Sequence, residues 1–109
     1  MKIIFYVFIF LCFGLSTKAQ INTVAEKFAL PSSLSGSSGV IFFNDKVVSH
    51  NDSGFENKLF ELDTISGLVS REITISNATN IDWEDITQDG NHIYIGDIGN
   101  NHGNRTDLK

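Results

Sequence analysis

The chain has 109 residues, of which 13 are acidic and 8 basic, giving a formal net charge of −5 at pH 7. Nucleic acids are bound by Lys and Arg side chains that neutralise phosphates, so this balance argues against a nucleic-acid partner and favours cations as small ligands. With a single cysteine, the chain also lacks the disulfide framework that stabilises many small exported domains.

The N-terminus has the pattern of a secretory signal peptide. Lys2 precedes an apolar run from Ile3 to Leu15, and Thr17 and Ala19 place small residues at the two positions that a signal peptidase reads before Gln20. The run is shorter than the roughly 20 apolar residues that a membrane span needs. The residues before Cys12 lack the small side chains of a lipoprotein cleavage site. We therefore predict a signal peptide over residues 1–19, cleavage after Ala19, a secreted or periplasmic location and no stable membrane span after cleavage.

The remaining chain has the pattern of short β-strands joined by turn residues. Two of the predicted turns, Asn44-Asp45 and Asp89-Gly90, have the composition of two-residue hairpin loops. The predicted strands are Gly39–Phe43, Lys46–Ser49, Lys58–Asp63, Leu68–Ile75, Ile81–Thr87 and His92–Ile95. The apolar residues expected to form packed faces are Ile41, Phe43, Val48, Leu59, Leu62, Ile73, Ile75, Ile86, Ile93 and Ile95.

The chain contains an internal repeat when it is shifted by 45 residues. The shift places Val48 on Ile93 and Asp52 on Asp97, so that strand, turn, strand and acidic loop all correspond. A four-stranded repeat of this length is typical of a β-propeller blade, and chance similarity between two hairpins is the alternative. The predicted organisation is a lead-in over residues 20–38, a first blade over 39–80 and a partial second blade over 81–109. Even four blades need roughly 180 residues, which predicts the N-terminal fragment of a larger propeller whose remaining blades are its partners.

Five segments resemble, in chain order, the motifs of one protein family. They are "HNDSG", "LFELD", "NIDWEDI", "IGDIGNN" and "GNRTDL". They are similar to motifs of secreted bacterial β-propellers that are loosely grouped with the NHL-type, YWTD-type and esterase-like phytase propellers. The resemblance covers Leu30 to Leu108 and implies an incomplete propeller fold.

Oxygen-bearing side chains are predicted to converge on one rim of such a fold, because the loops after the second strand of each blade emerge there. The predicted rim residues are Asn51, Asp52, Asn80, Asp82, Glu84, Asp85, Asp97, Asn100 and Asn101. Alternation places Asp82 and Glu84 on one side of their strand and Trp83 and Asp85 on the other. We predict Ca²⁺ as the ligand of Asp52, Asp82, Glu84, Asp85, Asp97 and Asn100, because carboxylate and amide oxygens suit it. The alternative is that the Asp and Asn residues only shape turns.

Three functions remain open at the level of sequence. The first is a binding or scaffold module that holds a cation at the rim, and the second is a phosphoesterase or lactonase-like hydrolase whose cation activates water. The third is a truncated product without function. Zinc is disfavoured because the histidines lack ligand spacing. His50 is a candidate general base beside Asp52, although no second catalytic residue accompanies it, and Trp83 either stacks on a ligand or packs between blades.

Overall fold

The computed structural model describes residues 23–109, so the predicted signal peptide over residues 1–19 lies outside the described part of the chain. These residues form an all-β structure with two antiparallel sheets, as the sequence predicted. The strands are β1 (Ser37–Phe43), β2 (Lys46–Asn51), β3 (Lys58–Leu62), β4 (Val69–Thr74), β5 (Trp83–Asp89) and β6 (His92–Asp97). The first sheet has the strand order β1-β2-β3-β4, and the second consists of β5 and β6. Within residues 23–109 no helix has the length and apolar character needed to span a membrane.

Two-residue turns connect β1 to β2 and β5 to β6. Asn44 and Asp45 have φ angles of 48° and 60°, in the left-handed region that Asn and Asp tolerate better than most residues. The second turn consists of Gly90 and Asn91, because Asp89 still belongs to β5. The prediction of an Asp89-Gly90 turn is therefore wrong by one residue.

The two hairpins correspond with an offset of 46 residues, and the predicted offset of 45 is wrong. Both the strand bounds and the positions of the β-bulges follow this offset, since β1 is irregular between Ser37 and Gly39 and β5 between Trp83 and Asp85. A one-residue slip turns every side chain of a strand to the opposite face. The structural counterpart of Asp97 is consequently Asn51, the residue before the predicted Asp52.

The two sheets pack together chiefly where β1 and β5 meet. The buried centre of this contact consists of Val48, Leu59, Trp83 and Ile86. Around it lie the partly buried Ile41, Phe43, Ile73, Ile75, Ala78, Ile93 and Ile95. All the predicted core residues except Leu62 belong to this cluster, and the packing role of Trp83 is confirmed.

A second apolar cluster covers part of the opposite face of the first sheet. Leu62 and Phe60 are buried there under Leu34, which belongs to the 3₁₀ turn Ser32–Leu34 that precedes β1. The predicted lead-in therefore contributes a core residue. Burying a Leu side chain stabilises a fold by about 1.5–3 kcal/mol, so this contact holds the lead-in against the sheet.

Asp63 orders the turn between β3 and β4. Its Oδ1 accepts hydrogen bonds from the backbone N–H of Ser66 (2.8 Å) and of Ile65 (3.1 Å), and from the hydroxyl of Ser66 (2.9 Å). These donors, the backbone N–H of Ser66 first among them, lower the pKa of Asp63 because they stabilise the charged carboxylate.

Among residues 23–109, the outer edge of β6 is paired only at its end. Lys109 and Asp97 exchange two backbone hydrogen bonds, of 2.7 Å from the N–H of Asp97 and 3.3 Å from the N–H of Lys109. Lys109 therefore lies beside the end of β6, as the start of β3 lies near the end of β2.

Candidate functional site

Three carboxylates come together where β2 ends and β5 begins. Asp52 directly follows β2, Asp82 directly precedes β5, and Glu84 occupies the bulge of β5. One oxygen of each lies within 4.8 Å of the others. Alternation of strand side chains predicted Asp82 and Glu84 on one side, and their carboxylates do approach each other. Three carboxylates at this spacing are hard oxygen ligands of the kind that Ca²⁺ prefers.

Asp82 is the buried member of this group. Its residue is 9% exposed, and its Oδ1 is buried without any hydrogen-bond donor. The backbone of Asp82 is fully engaged, since its N–H donates to Asp97 and its carbonyl accepts from the N–H of Gly99 at 3.0 Å. A buried carboxylate oxygen without a partner costs free energy that a cation could offset.

The position of the Asp82 carboxylate depends on the residue at position 99. A Cβ atom on Gly99 would overlap the carboxyl group of Asp82. Asp82 also lines a cleft of about 240 Å³ together with Asn100, Asn101 and His102. The absent side chain of Gly99 thus makes room for a carboxylate next to a polar cleft.

Asn80 ties the loop that carries Asp52 to the start of β5. Its Nδ2 donates to the carbonyls of Asn51 (3.0 Å) and Asp52 (2.8 Å), and its Oδ1 accepts from the N–H of Trp83 at 3.1 Å. These contacts fix the backbone on both sides of the three carboxylates. Asn80 therefore positions Asp52 relative to Asp82 without offering a free oxygen of its own.

Asp97 has a different set of partners. It is 2% exposed, and its Oδ1 accepts from the N–H of Asp82 (3.0 Å) and from Nη1 of Arg105 (2.9 Å). Its counterpart Asn51 makes the equivalent bond in the first sheet, accepting from the N–H of Gly36 at 3.1 Å. Each of these side chains closes the end of its own hairpin.

Arg105 supplies a positive charge that was not anticipated from the acidic motifs. Arg105 folds back onto Asp97, and the two side chains form an ion pair. Arg105 also donates to Asp107 (3.0 Å) and to the carbonyl of Gly99 (2.8 Å), and the hydrogen bond to Asp107 is the main cause that raises its pKa.

The three clustered carboxylates lack such a partner. Among residues 23–109, no Lys, Arg or His side chain forms an ion pair with Asp52, Asp82 or Glu84. Glu84 Oε2 has a weak contact of 3.5 Å with the hydroxyl of Ser38, and Asp52 Oδ1 accepts from the adjacent N–H of Ser53 at 2.5 Å. The second contact is the turn-shaping role that was predicted as the alternative to cation binding.

Asp85 lies on the other face of the second sheet. The bulge at Glu84 turns Trp83 into the core while Asp85 stays exposed, so the prediction that these two residues share a side is wrong. Asp85 Oδ1 accepts from the N–H of Ile86 at 2.8 Å. The cluster of Asp52, Asp82 and Glu84 does not include it.

Asn100 and Asn101 lie in the loop after β6. Asn100 Oδ1 accepts from the backbone N–H of Asn104 (2.9 Å) and of Arg105 (3.0 Å), which orders the loop. Asn101 is exposed and lines the same cleft as Asp82. Both residues lie near the cleft, but Asn100 already uses its carbonyl oxygen for the loop.

His50 is a core residue. It is 0% exposed, its ring meets Trp83 edge-on with centroids 5.8 Å apart, and its Nδ1 lies 3.0 Å from the carbonyl of Asn51. Its Nε2 lies 2.6 Å from where a Cβ of Gly39 would be, which explains the glycine. The signal was present in the sequence, since His50 follows Val48 by two residues and so continues the buried face of β2.

Comparison of the chain with protein-family models, with curated proteins and with solved structures finds no match. Support for a function therefore comes from the contacts, burial and charges of the chain's own residues.

Proposed function

We propose that this chain is a binding module of a secreted β-propeller, in which Asp52, Asp82 and Glu84 hold a Ca²⁺ ion. The observation that carries the proposal is the carboxylate of Asp82, which has one buried oxygen without a donor and lies beside two further carboxylates. Like charges at this distance repel, and a divalent cation would relieve the repulsion. Arg105 forms its ion pairs with Asp97 and Asp107 and not with any of these three carboxylates.

The choice of Ca²⁺ follows from the ligand chemistry. All three side chains offer oxygen, and Ca²⁺ accepts six to eight oxygens in flexible geometry, so water and backbone carbonyls would complete its shell. Mg²⁺ demands near-octahedral geometry and gives up its water reluctantly. Two of the three carboxylates belong to partly exposed residues, which leaves the site open to solvent on one side.

The propeller part of the proposal is supported by the repeat and by the motif resemblance. Two hairpins with the same strand lengths and the same bulge, 46 residues apart, are what successive blades would have. The five motifs that resemble secreted bacterial propellers support the same assignment. The residues after Lys109 in a longer protein would then continue the second blade.

A binding role is favoured over hydrolysis by the position of His50. As the candidate general base, it would have to reach a water molecule or a substrate, but its ring is buried against Trp83. The hydrolase alternative therefore loses His50 as its general base, although the exposed His102 lines the same cleft as Asp82.

The proposal is tested by thermal unfolding of the full chain with and without Ca²⁺. Ligand at 100 times its Kd stabilises a protein by about 2.7 kcal/mol, which raises the Tm measurably. We expect this rise in the parent chain and its loss in Asp82→Asn, which keeps the size of the side chain. Asp85→Asn is the matched control, because Asp85 lies on the opposite face.

Two results would contradict the proposal. One is a Tm that does not change with Ca²⁺ up to about 10 mM, a concentration at which even the weak extracellular sites of about 1 mM Kd are occupied. The other is an equal loss of the calcium response in Asp82→Asn and Asp85→Asn, which would indicate a general effect of net charge.

A further inference from the structure

Equivalent residues of the two sheets differ sharply in exposure. Ile86 in β5 is 4% exposed because it packs against the first sheet. Its counterpart in β1, 46 residues earlier, is Val40, which is 65% exposed. The neighbouring Phe42 on the same face is 60% exposed. The face of β1 that corresponds to the packed face of β5 is therefore apolar and uncovered.

The second sheet carries the complementary uncovered face. In the first sheet, the residues next to Ile86 include Gly39 and Val48. Their counterparts in the second sheet are Asp85 and Tyr94, which line a cleft of about 230 Å³. Tyr94 is 51% exposed and Ile98, also in this cleft, is 49% exposed.

We propose that two copies of this chain associate head to tail, with Val40 of one copy seated in the cleft beside Tyr94 of the other. The contact repeats between copies the packing that the two sheets already make within one chain. The uncovered face of β1 from one copy packs in the way that β5 packs within the chain. The β5–β6 sheet of the other copy receives it in the way that the first sheet receives β5.

One residue, Asp85, opposes the proposed contact between copies. Gly39 lets Ile86 approach closely, since a Cβ there would lie 3.0 Å from Cγ2 of Ile86. The counterpart of Gly39 is Asp85, whose side chain would narrow the cleft and place a carboxylate near Val40. Replacement of Asp85 by glycine should therefore strengthen the association.

Such an association joins two different surfaces, so the pair as a whole retains one uncovered face of each kind. Contacts of this type form a closed ring when the rotation between neighbours allows it, and otherwise a filament. The association depends on sheet packing and not on calcium, so a failure of the calcium experiment would leave it in place.

Directional disulfide cross-linking tests the proposal. The full chain carries Cys12→Ser, which removes its single cysteine, and receives either Val40→Cys or Tyr94→Cys. We expect a mixture of the two variants to form disulfide-linked dimers, while either variant alone forms few. Val24→Cys mixed with Tyr94→Cys is the control, because Val24 is 99% exposed and lies outside the sheets. The yield against protein concentration gives the apparent Kd.

The results separate the alternatives clearly. Adding Asp85→Gly to the Tyr94→Cys chain should lower the apparent Kd several-fold, and adding Phe42→Asp to the Val40→Cys chain should raise it by about tenfold, which is a moderate interface effect. Efficient linking of Val40→Cys to itself would overturn the head-to-tail arrangement. A mixture that links no faster than the Val24 control would overturn the association itself.

Discussion

Replacement of Asp97 separates a structural role from a role in cation binding. Oδ1 of Asp97 receives both of its hydrogen bonds, one from the N–H of Asp82 and one from Arg105, while Oδ2 is buried without a partner. Asparagine can place its amide oxygen at the Oδ1 position and accept both donors, because a carbonyl oxygen has two lone pairs. Alanine can accept neither.

The expected magnitudes follow from these contacts. Asp97→Ala leaves the buried N–H of Asp82 without an acceptor, which costs about 1–3 kcal/mol. Loss of the Arg105 partner adds to this cost. Asp97→Asn keeps both bonds but loses the ion pair with Arg105 and puts an amide donor at the buried Oδ2 position, so its cost should be smaller than that of Asp97→Ala without being zero. Asn51 already performs this role as a neutral amide in the first sheet.

Urea unfolding of the full chain, followed by circular dichroism, measures the two free energies. The same variants are then melted with and without Ca²⁺. If Asp97 closes the hairpin, Asp97→Asn is more stable than Asp97→Ala and keeps its calcium response. Equal destabilisation by both substitutions would refute the hydrogen-bonding argument. A stable Asp97→Asn that has lost the calcium response would instead make Asp97 a cation ligand.

Three further outcomes are expected. Ile86→Ala should lower the free energy of unfolding by about 2–5 kcal/mol, and Val40→Ala by less than about 0.5 kcal/mol. Both free energies are measured by urea unfolding of dilute protein, and similar values for the two variants would contradict the unequal packing. Gly99→Ala should abolish the stabilisation by calcium although every carboxylate remains, because the new Cβ displaces Asp82. A rise in Tm with Ca²⁺ equal to that of the parent chain would contradict this prediction. The lowered pKa of Asp63 means that its turn stabilises the fold above the ordinary value of 3.8, and that this contribution is lost as the pH falls through the lower folded pKa. Asp63→Asn should therefore show a shallower loss of stability than the parent below about pH 4, and parallel curves would contradict the assignment.

The strands and most of the core could be predicted because their signals are local. Alternating apolar residues and two-residue turns determine which segments form strands, and Ile41 and Val48 then meet because they face each other across one hairpin. The order β1-β2-β3-β4 follows from short connections between consecutive strands. Each predicted strand is present, with bounds within about two residues.

The candidate site was harder to predict because it depends on a bulge and on a distant charge. The bulge at Glu84 adds one residue to β5, which sends Trp83 into the core and Asp85 to the opposite face. Strict alternation cannot anticipate this change. Arg105 reaches Asp97 only because its loop folds back, and nothing in the spacing of the acidic motifs indicates that contact.

The hydrogen bonds of the equivalent residues Asn51 and Asp97 show which acidic side chains can be explained without a metal. Asn51 uses both atoms of its amide, accepting from Gly36 through Oδ1 and donating to the carbonyl of Ser33 through Nδ2 at 2.8 Å. Asp97 closes the second hairpin in the same way but has no donor of its own, and the guanidinium of Arg105 supplies a donor and a balancing charge. The carboxylate of Asp97 thus has a structural explanation that needs no metal. The carboxylates of Asp97 and Asp82 each have one buried oxygen without a partner, but the charge of Asp97 is balanced by Arg105, whereas no basic side chain among residues 23–109 pairs with Asp82. The case for a cation therefore depends on Asp82 and its two neighbours.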